Sequence, residues 1–192
     1  MNIIWHKLDS LLQEKESVVI AIDGNCGAGK STLAQMLVEK YDCNIFHMDD
    51  FFLRPEQRTD RRLTEPGGNV DYERFYTEVL VPLKKGVDFS YSPYNCKICT
   101  LDSPIAVCQK HLAVVEGTYS LHPYFNKPYD CSIFLEVSEQ LQKERILERP
   151  KHLHARFFNE WIPMENNYFE AFNVKASCDM VLRAEDMLQF AT

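Results

Sequence analysis

One short segment constrains the fold of this chain more than any other. Residues 24–31 read GNCGAGKS and match the spacing G-x-x-x-x-G-K-[ST]. Residues 18–22 before it, VVIAI, are apolar and mostly β-branched, as in a buried parallel strand. After it, Leu33, Met36 and Leu37 recur at helical spacing. The segment therefore predicts a strand, a tight glycine-rich loop and a helix, in that order.

Such a strand–loop–helix unit is suited to binding phosphate. The glycines let the backbone curl until several N–H groups point inward, and the helix start adds partial positive charge. Lys30 would reach the β- and γ-phosphates of a nucleotide, and the Ser31 hydroxyl would ligate Mg²⁺. An ordinary glycine-rich turn would not need Lys-Ser after its last glycine. We therefore predict a site for ATP, or another nucleoside triphosphate, with Mg²⁺. The predicted nucleotide contacts are Gly24, Asn25, Cys26, Gly27, Ala28, Gly29, Lys30, Ser31 and Thr32.

Composition limits the classes of partner. The chain has 192 residues, which fits one domain over residues 1–192 with a sizeable core. Its formal net charge of −7 argues against a nucleic-acid-binding surface, which is normally basic. No apolar run approaches the ~20 residues of a membrane-spanning helix, and the N-terminal segment does not resemble a signal peptide. The seven cysteines are scattered, so we expect a reduced, cytoplasmic protein without nucleic-acid or membrane partners. The oligomeric state stays open, a homo-oligomer included.

The alternation of elements predicts the fold class. Five short, mostly apolar runs are predicted strands: 18–23, 44–48, 112–116, 131–137 and 179–183. Three helical patterns lie between several of them: 30–40, 71–84 and 138–149. Ile4, Leu8, Leu11 and Leu12 predict a further short amphipathic helix. Alternating strands and helices indicate an α/β fold with a mostly parallel five-stranded sheet, in which ligands bind beyond the carboxyl ends of the strands.

Acidic residues follow predicted strands at that edge of the sheet. Asp49 and Asp50 come directly after the strand 44–48, and Glu116 ends the strand 112–116. A carboxylate beside a phosphate-binding loop can orient a hydroxyl for attack on a γ-phosphate. We therefore predict that Asp49 or Asp50 is a catalytic base, and that Glu116 holds Mg²⁺ or an acceptor hydroxyl. A helix cap or a turn former is the alternative for each of them.

Cations later in the chain fit a lid over the nucleotide. Arg145 and Arg149 are four residues apart and share one face of a predicted helix. An exposed helix rich in Glu is one interpretation. The other is a lid at about 145–165 whose arginines neutralise charge on the transferring phosphate. Lys151 and Arg156 extend the cationic run and favour the lid.

Two polar segments fit no regular element. Residues 51–70 contain two prolines and two glycines and are predicted to form a long loop, and residues 86–110 are predicted to form a β-hairpin excursion. Loops this long inside a compact domain are usually functional, so both are candidates to bind the acceptor. The second segment also holds Cys96-x-x-Cys99, followed by Cys108-x-x-His111, which has the form of a zinc site and leaves zinc binding open.

The motifs together resemble a known family. The sequence contains, in order, GNCGAGKST, HMDDFF, GNVDYERF, VVEGTY and an Arg-rich helix. These segments resemble the uridine kinase and phosphoribulokinase group of P-loop kinases, which also includes nicotinamide riboside kinases. The resemblance covers nearly the whole chain. It implies a three-layer P-loop NTPase fold with helices on both faces of the sheet and a lid. It also implies phosphoryl transfer from ATP to a hydroxyl of a small molecule, a nucleoside or a sugar-like alcohol.

The resemblance also implies roles for particular residues. Asp49 matches the base of the family and Asp71 the residue that holds sugar hydroxyls. Glu116 matches the Glu of the family's Glu-Gly pair, and Arg145 and Arg149 match lid arginines. Tyr94 matches a tyrosine near the acceptor. The residues after it, Asn95 and Cys96, depart from the uridine kinase pattern, and no His-Ser-Arg segment follows. Pyrimidine recognition is therefore not implied.

A nucleotide-dependent switch is the alternative function. Such a protein would hydrolyse nucleotide and bind a protein partner without a small-molecule acceptor. Asn126-Lys127-Pro128-Tyr129 lacks the final Asp of the guanine-binding motif N-K-x-D, which counts against this alternative. A catalytically weak relative that binds nucleotide structurally stays open as well.

Overall fold

The centre of the fold is a sheet whose strands all run in one direction. In this computed structural model, which describes residues 2–187, the five-stranded sheet has the order β2-β7-β1-β8-β9 and every pairing is parallel. The strands of the described chain are β1 (Val18–Gly24), β2 (Cys43–His47), β3 (Phe89–Tyr91), β4 (Tyr94–Asn95), β5 (Thr100–Leu101), β6 (Ile105–Val107), β7 (Leu112–Glu116), β8 (Cys131–Glu136) and β9 (Met180–Arg183). The predicted α/β class and five-stranded parallel sheet are confirmed, with strand bounds within one or two residues.

Helices cover both faces of this sheet. The α-helices among residues 2–187 are α1 (Asn2–Glu14), α2 (Lys30–Lys40), α3 (Asp60–Thr64), α4 (Tyr72–Phe75), α5 (Val81–Lys85), α6 (Glu139–Leu147), α7 (Lys151–Arg156), α8 (Ile162–Ala171) and α9 (Ala184–Met187). No helix of the described chain is long and apolar enough to cross a membrane.

The alternation of side chains along β1 divides the core in two. On one face of the sheet, Val18, Ile20 and Ile22 pack with Leu8 of α1 and Leu37 of α2. Val19 faces the other side, in the cluster that holds Phe75 of α4 and Tyr168 of α8. The predicted amphipathic N-terminal helix is confirmed as α1, since Ile4, Leu8 and Leu11 are all buried. Burial on both faces explains why the strands have continuous apolar sequences.

Two helices change their hydrogen-bonding pattern just before a proline. The predicted helix 71–84 is observed as α4, a π-helical turn at Tyr76–Leu80, and α5, which contains Pro82. A second π-helical turn, Phe157–Trp161, lies before Pro163 in α8. Proline has no N–H to donate and its ring crowds the preceding turn, so the helix widens there instead of ending.

The two polar segments differ in how well the sequence anticipated them. Residues 86–110 form the predicted β-hairpin excursion, with β3 paired to β6 and β4 paired to β5, both antiparallel. The prediction of an irregular loop at 51–70 is wrong in part, because this segment contains a 3₁₀ turn at Pro55–Gln57 and helix α3. The Thr59 hydroxyl caps α3 by accepting a hydrogen bond from Arg62 N–H, a helix-start signal that the sequence analysis overlooked.

A buried carboxylate joins the end of β1 to two other parts of the chain. Asp23 is fully buried and accepts hydrogen bonds from Gly24 N–H (2.7 Å), Leu121 N–H (3.0 Å) and the Tyr168 hydroxyl (2.8 Å). Burial penalises the charged form and raises the pKa of Asp23 to about 6, although the hydrogen bonds partly oppose this. Asp23 therefore ties β1 to the turn after β7 and to α8.

The raised pKa of Asp23 predicts a specific pH dependence of stability. Because the folded protein binds the proton more tightly than the unfolded chain, the contribution of Asp23 is full below about pH 4. It is lost as the pH rises through about 6, a change of about 3 kcal/mol. We expect the difference in unfolding free energy between the wild type and Asp23→Asn to fall by up to that amount between pH 4 and 7, measured by chemical denaturation. A difference that does not vary with pH would contradict this account.

Candidate active site

The segment 24–31, which we call the phosphate loop, requires glycine at its two ends. Gly24 ends β1 with a φ of 138°, and a Cβ there would lie 2.1 Å from the carbonyl oxygen of Leu135 in β8. Gly29 has a φ of 99° and immediately precedes α2, which begins at Lys30. Only glycine adopts these positive φ angles without strain, and at Gly24 the close approach of β8 also leaves no room for a side chain. The local sequence therefore sets a sharp reversal between β1 and α2 at the carboxyl edge of the sheet.

Two cations lie on this loop. Lys30 Nζ donates to Gly24 O (2.7 Å), Asn25 O (3.0 Å) and Thr118 Oγ1 (3.2 Å). From α6, Arg145 Nη1 donates to Gly27 O at 2.7 Å. Arg145 and Lys30, both predicted to contact phosphate, are thus brought to the same loop.

The other predicted lid arginine is placed differently. Arg149 is exposed, and its guanidinium lies 5.1 Å from the centre of the Phe157 ring. It donates no hydrogen bond to the phosphate loop within residues 2–187. Within residues 2–187, Arg145 is therefore hydrogen-bonded to the loop and Arg149 is not.

Parallel pairing brings three polar side chains together beside the loop. Glu116 at the end of β7 pairs in register with Ile22 of β1 and with His47 of β2. Its Oε1 accepts a hydrogen bond from Ser31 Oγ at 3.0 Å and lies 2.5 Å from His47 Nδ1. Glu116 is 5% exposed. Its Oε2 accepts no hydrogen bond from the described residues, so one carboxylate oxygen remains available beside the Ser31 hydroxyl.

The adjacent aspartates have different surroundings. Asp49 is exposed, and its carboxylate accepts no hydrogen bond from residues 2–187. Although Asp49 reaches solvent, protein surrounds much of its carboxylate; this desolvation raises the pKa of Asp49, and the negative charge of Glu116 raises it further. Asp50 is tied to the scaffold, because its Oδ2 accepts from the Tyr91 hydroxyl (3.2 Å) and its backbone oxygen accepts from Arg74 Nη2 (2.8 Å). Of the two, Asp49 has the carboxylate that can meet a substrate.

The two remaining predicted acceptor contacts hold hydrogen bonds within the protein. Asp71 is 3% exposed and caps α4 by accepting from Arg74 N–H (3.0 Å), while Gln57 Nε2 donates to its other oxygen (2.8 Å). Its own backbone N–H donates to Phe51 O, which places it next to the Asp49 turn. The hydroxyl of buried Tyr94 accepts from Arg58 Nη2 at 3.3 Å. Neither side chain is hydrogen-bonded to Ser31, Glu116 or His47.

The four candidate zinc ligands are not assembled into one site. Among residues 2–187, no group of three or more His, Cys, Asp or Glu side chains is arranged to hold a metal ion. Cys96 and Cys99 lie at the exposed end of the β4–β5 hairpin, whereas His111 Nε2 bonds to Lys15 O at 2.7 Å beside the start of β1. The C-x-x-C and C-x-x-H pairs therefore share spacing in sequence without sharing a site.

The chain is similar in sequence or in structure to several known proteins. No protein-family model matches the chain. A curated relative, the dephospho-CoA kinase of Mycoplasma genitalium, is 27% identical over 153 residues, which cover 70% of this chain and 74% of that protein. Among solved structures, a possible uridine kinase from Bacillus stearothermophilus matches with a TM-score of 0.67 at 18% identity, covering 93% of this chain and 98% of that one. A putative fructose transport system kinase from Silicibacter sp. matches with a TM-score of 0.66 at 21% identity, covering 87% and 90%.

The chain has the fold of a P-loop kinase. The fold that the motif resemblance implies is thereby confirmed. Within this P-loop kinase fold, the phosphate loop leaves the middle strand of the sheet and the acidic residues Asp49 and Glu116 follow two neighbouring strands. This is the carboxyl edge at which ligands gather in open α/β sheets.

Three residues of the site were assigned no individual role from the sequence. His47 could have been found, because it ends a predicted strand next to the strand that ends in Glu116. Thr118 contacts Lys30 Nζ, and Glu165 of α8 accepts a hydrogen bond from Cys26 N–H at 2.9 Å. Glu165 and Cys26 are 139 residues apart in the sequence, so no local sequence pattern predicts this contact.

The His47–Glu116 pair predicts an unusual titration in the nucleotide-free protein. The hydrogen bond to Glu116 raises the pKa of His47, whereas burial lowers the pKa of His122 to about 4. We therefore expect one imidazole NMR signal to titrate above the ordinary histidine range and another to stay neutral throughout pH 5–8. Glu116→Gln should return the first signal to ordinary values, and His47→Gln should remove it. Glu170→Gln is the control, because Glu170 is exposed. If Glu116→Gln shifted no histidine signal further than this control does, the His47–Glu116 hydrogen bond would be refuted.

Proposed function

We propose that this protein transfers the γ-phosphate of ATP, or of another nucleoside triphosphate, to a hydroxyl of a small molecule. The acceptor is a nucleoside or a related sugar-like alcohol, and the reaction requires Mg²⁺. The observation that carries the proposal is the carboxylate of Asp49, which accepts no hydrogen bond from residues 2–187 and lies at the same edge of the sheet as the phosphate loop, Lys30 and the Ser31–Glu116 pair. The similarity to a dephospho-CoA kinase supports phosphoryl transfer to a small molecule.

Nucleotide binding follows from the phosphate loop. Backbone N–H groups of residues 24–32 and the start of α2 would hold the β- and γ-phosphates. Lys30 now donates to loop carbonyls and would exchange them for phosphate oxygens. Arg145, already on the loop, would neutralise charge that spreads over the transferring group, and Arg149 would join it once its exposed side chain turned from Phe157 toward the phosphates.

The donors near Ser31 suit magnesium. Mg²⁺ prefers hard oxygen ligands and usually keeps several waters. The Ser31 hydroxyl and the Glu116 carboxylate are both oxygen donors, are 3.0 Å apart, and retain a carboxylate oxygen without a protein partner in residues 2–187. These residues therefore fit the ion. When bound, Mg²⁺ supplies charge neutralisation to the phosphates.

Asp49 would act as the base toward the acceptor. Its carboxylate would accept a hydrogen bond from the acceptor hydroxyl, orient the oxygen in line with the γ-phosphate and take the proton as transfer proceeds. A carboxylate with a raised pKa is a stronger base than an ordinary one, which suits this role. The segments 51–70 and 86–110 would border the acceptor, with contacts from Glu116, Asp71 and Tyr94. The roles of Asp71 and Tyr94 rest on the family resemblance.

The proposal is tested by ADP release with ATP and Mg²⁺ across a panel of hydroxyl compounds. The panel comprises nucleosides, nicotinamide riboside, pantothenate, simple sugars and dephospho-CoA, with a reaction that lacks acceptor as the control. We expect at least one alcohol to raise ADP release well above that control, with the phosphorylated alcohol visible by mass spectrometry. ADP release that every compound leaves unchanged would favour a nucleotide-dependent switch instead.

A pair of adjacent variants tests the base. With the acceptor that supports turnover, Asp49→Asn should lower kcat by roughly 10²–10⁴-fold, because the acceptor hydroxyl loses its proton acceptor. ATP affinity should change little. Asp50→Asn is the matched control, since Asp50 is held by Tyr91 and should cost far less turnover. A loss confined to Asp50→Asn would show that the assignment is wrong by one residue.

A further inference from the structure

Helix α8 reaches the phosphate loop through two buried side chains. Glu165 Oε2 accepts a hydrogen bond from Cys26 N–H (2.9 Å), and Glu165 Oε1 lies 3.3 Å from Thr118 Oγ1. One turn later, the Tyr168 hydroxyl donates to Asp23 Oδ2 at 2.8 Å. Glu165 is 7% exposed and Tyr168 is fully buried. The helix is therefore fastened on both sides of Gly24, the residue at which the loop begins.

The contact at Glu165 continues to the lysine of the loop. Thr118 Oγ1 lies between Glu165 Oε1 and Lys30 Nζ, which donates to it at 3.2 Å, and it also lies 3.0 Å from Gly24 O. A substitution at Glu165 would therefore alter contacts of the loop backbone and, through Thr118, of Lys30, the cation that is proposed to hold phosphate.

A buried carboxylate beside a phosphate site can have one of two roles, and these differ in whether the side chain must move when phosphate binds. A buried negative charge near an anion site opposes phosphate binding by Coulomb repulsion, so Glu165 either leaves when phosphate arrives or supports the loop from a fixed position. Glu165 and Tyr168 are three residues apart and share one face of α8. Because Tyr168 fixes the helix to buried Asp23, α8 cannot carry Glu165 away from the loop without breaking that second contact. The geometry favours support.

We propose that Glu165 is a positioning residue that holds the phosphate loop in its binding conformation from a stationary α8. The inference rests on the proposed function, because it concerns the same nucleotide site. A stationary α8 cannot belong to a moving lid, so the mobile part of the predicted lid 145–165 is the segment before α8. Within residues 148–160 only Phe157 is buried, so this segment has little packing to hold it in place.

The test measures binding rather than turnover. Affinity for ATP with Mg²⁺ is compared by calorimetry for the wild type, Glu165→Ala, Glu165→Gln and the exposed-residue control Glu170→Ala on the same helix. We expect Glu165→Ala to weaken binding by about tenfold or more, since a buried charged hydrogen bond is lost. Gln retains an oxygen that accepts from Cys26 N–H, so Glu165→Gln should keep most of the affinity. Glu170→Ala should match the wild type.

Tighter binding by both Glu165 variants would overturn the inference, because it would show a carboxylate that competes with phosphate. Unchanged binding by Glu165→Ala would overturn it as well.

Hydrogen exchange of the wild type gives a second test that needs no variant to fold. Amides of α8 near Glu165 should exchange more slowly than those of residues 148–156, and equal rates would contradict a stationary α8. A wild type that binds no ATP would instead refute the proposed function itself.

Discussion

The in-register parallel pairing of β2, β7 and β1 is the constraint on which the site depends. Parallel strands end at the same edge, so the pairing of Glu116 with Ile22 and with His47 puts the end of β7 beside the start of the phosphate loop. A shift of one residue would turn the Glu116 side chain to the opposite face of the sheet. Ser31, Glu116 and His47 meet because three short apolar runs pair in this register and no other.

Around that edge the protein buries charge in order to organise the backbone. Asp23, Glu116 and Glu165 are all nearly inaccessible to water, and each accepts hydrogen bonds from a different part of the chain. Buried carboxylates carry a desolvation cost, which the raised pKa of Asp23 reflects, so they are poor sources of stability. Their effect is geometric. They fix the loop, the turn that contains Thr118 and helix α8 relative to one another before any ligand arrives.

The sequence predicts the parts of this molecule whose causes are local. The phosphate loop is a contiguous motif, the strands are continuous apolar runs, and Asp49 and Glu116 stand directly after or at the ends of such runs. The π-helical turns before Pro82 and Pro163 depend on how a packed helix accommodates a missing N–H, which periodicity alone does not reveal. Glu165 lies 139 residues from Cys26, and its role follows only from how α8 crosses the loop. The paired cysteine motifs show the converse, since their spacing is metal-like while no metal-binding group of side chains forms among residues 2–187.

The most direct measurement of the central claim uses Mn²⁺ in place of Mg²⁺, because the two ions accept similar oxygen ligands and Mn²⁺ broadens nearby NMR signals. With ATP and Mn²⁺ bound, the backbone amide signals of Ser31, Asp49 and Glu116 should broaden together. Those of Lys15 and Lys110, which precede β1 and β7 at the opposite edge of the sheet, should keep most of their intensity. Broadening centred anywhere other than this carboxyl edge, or broadening at Ser31 that spares Asp49 and Glu116, would contradict a single site for phosphoryl transfer.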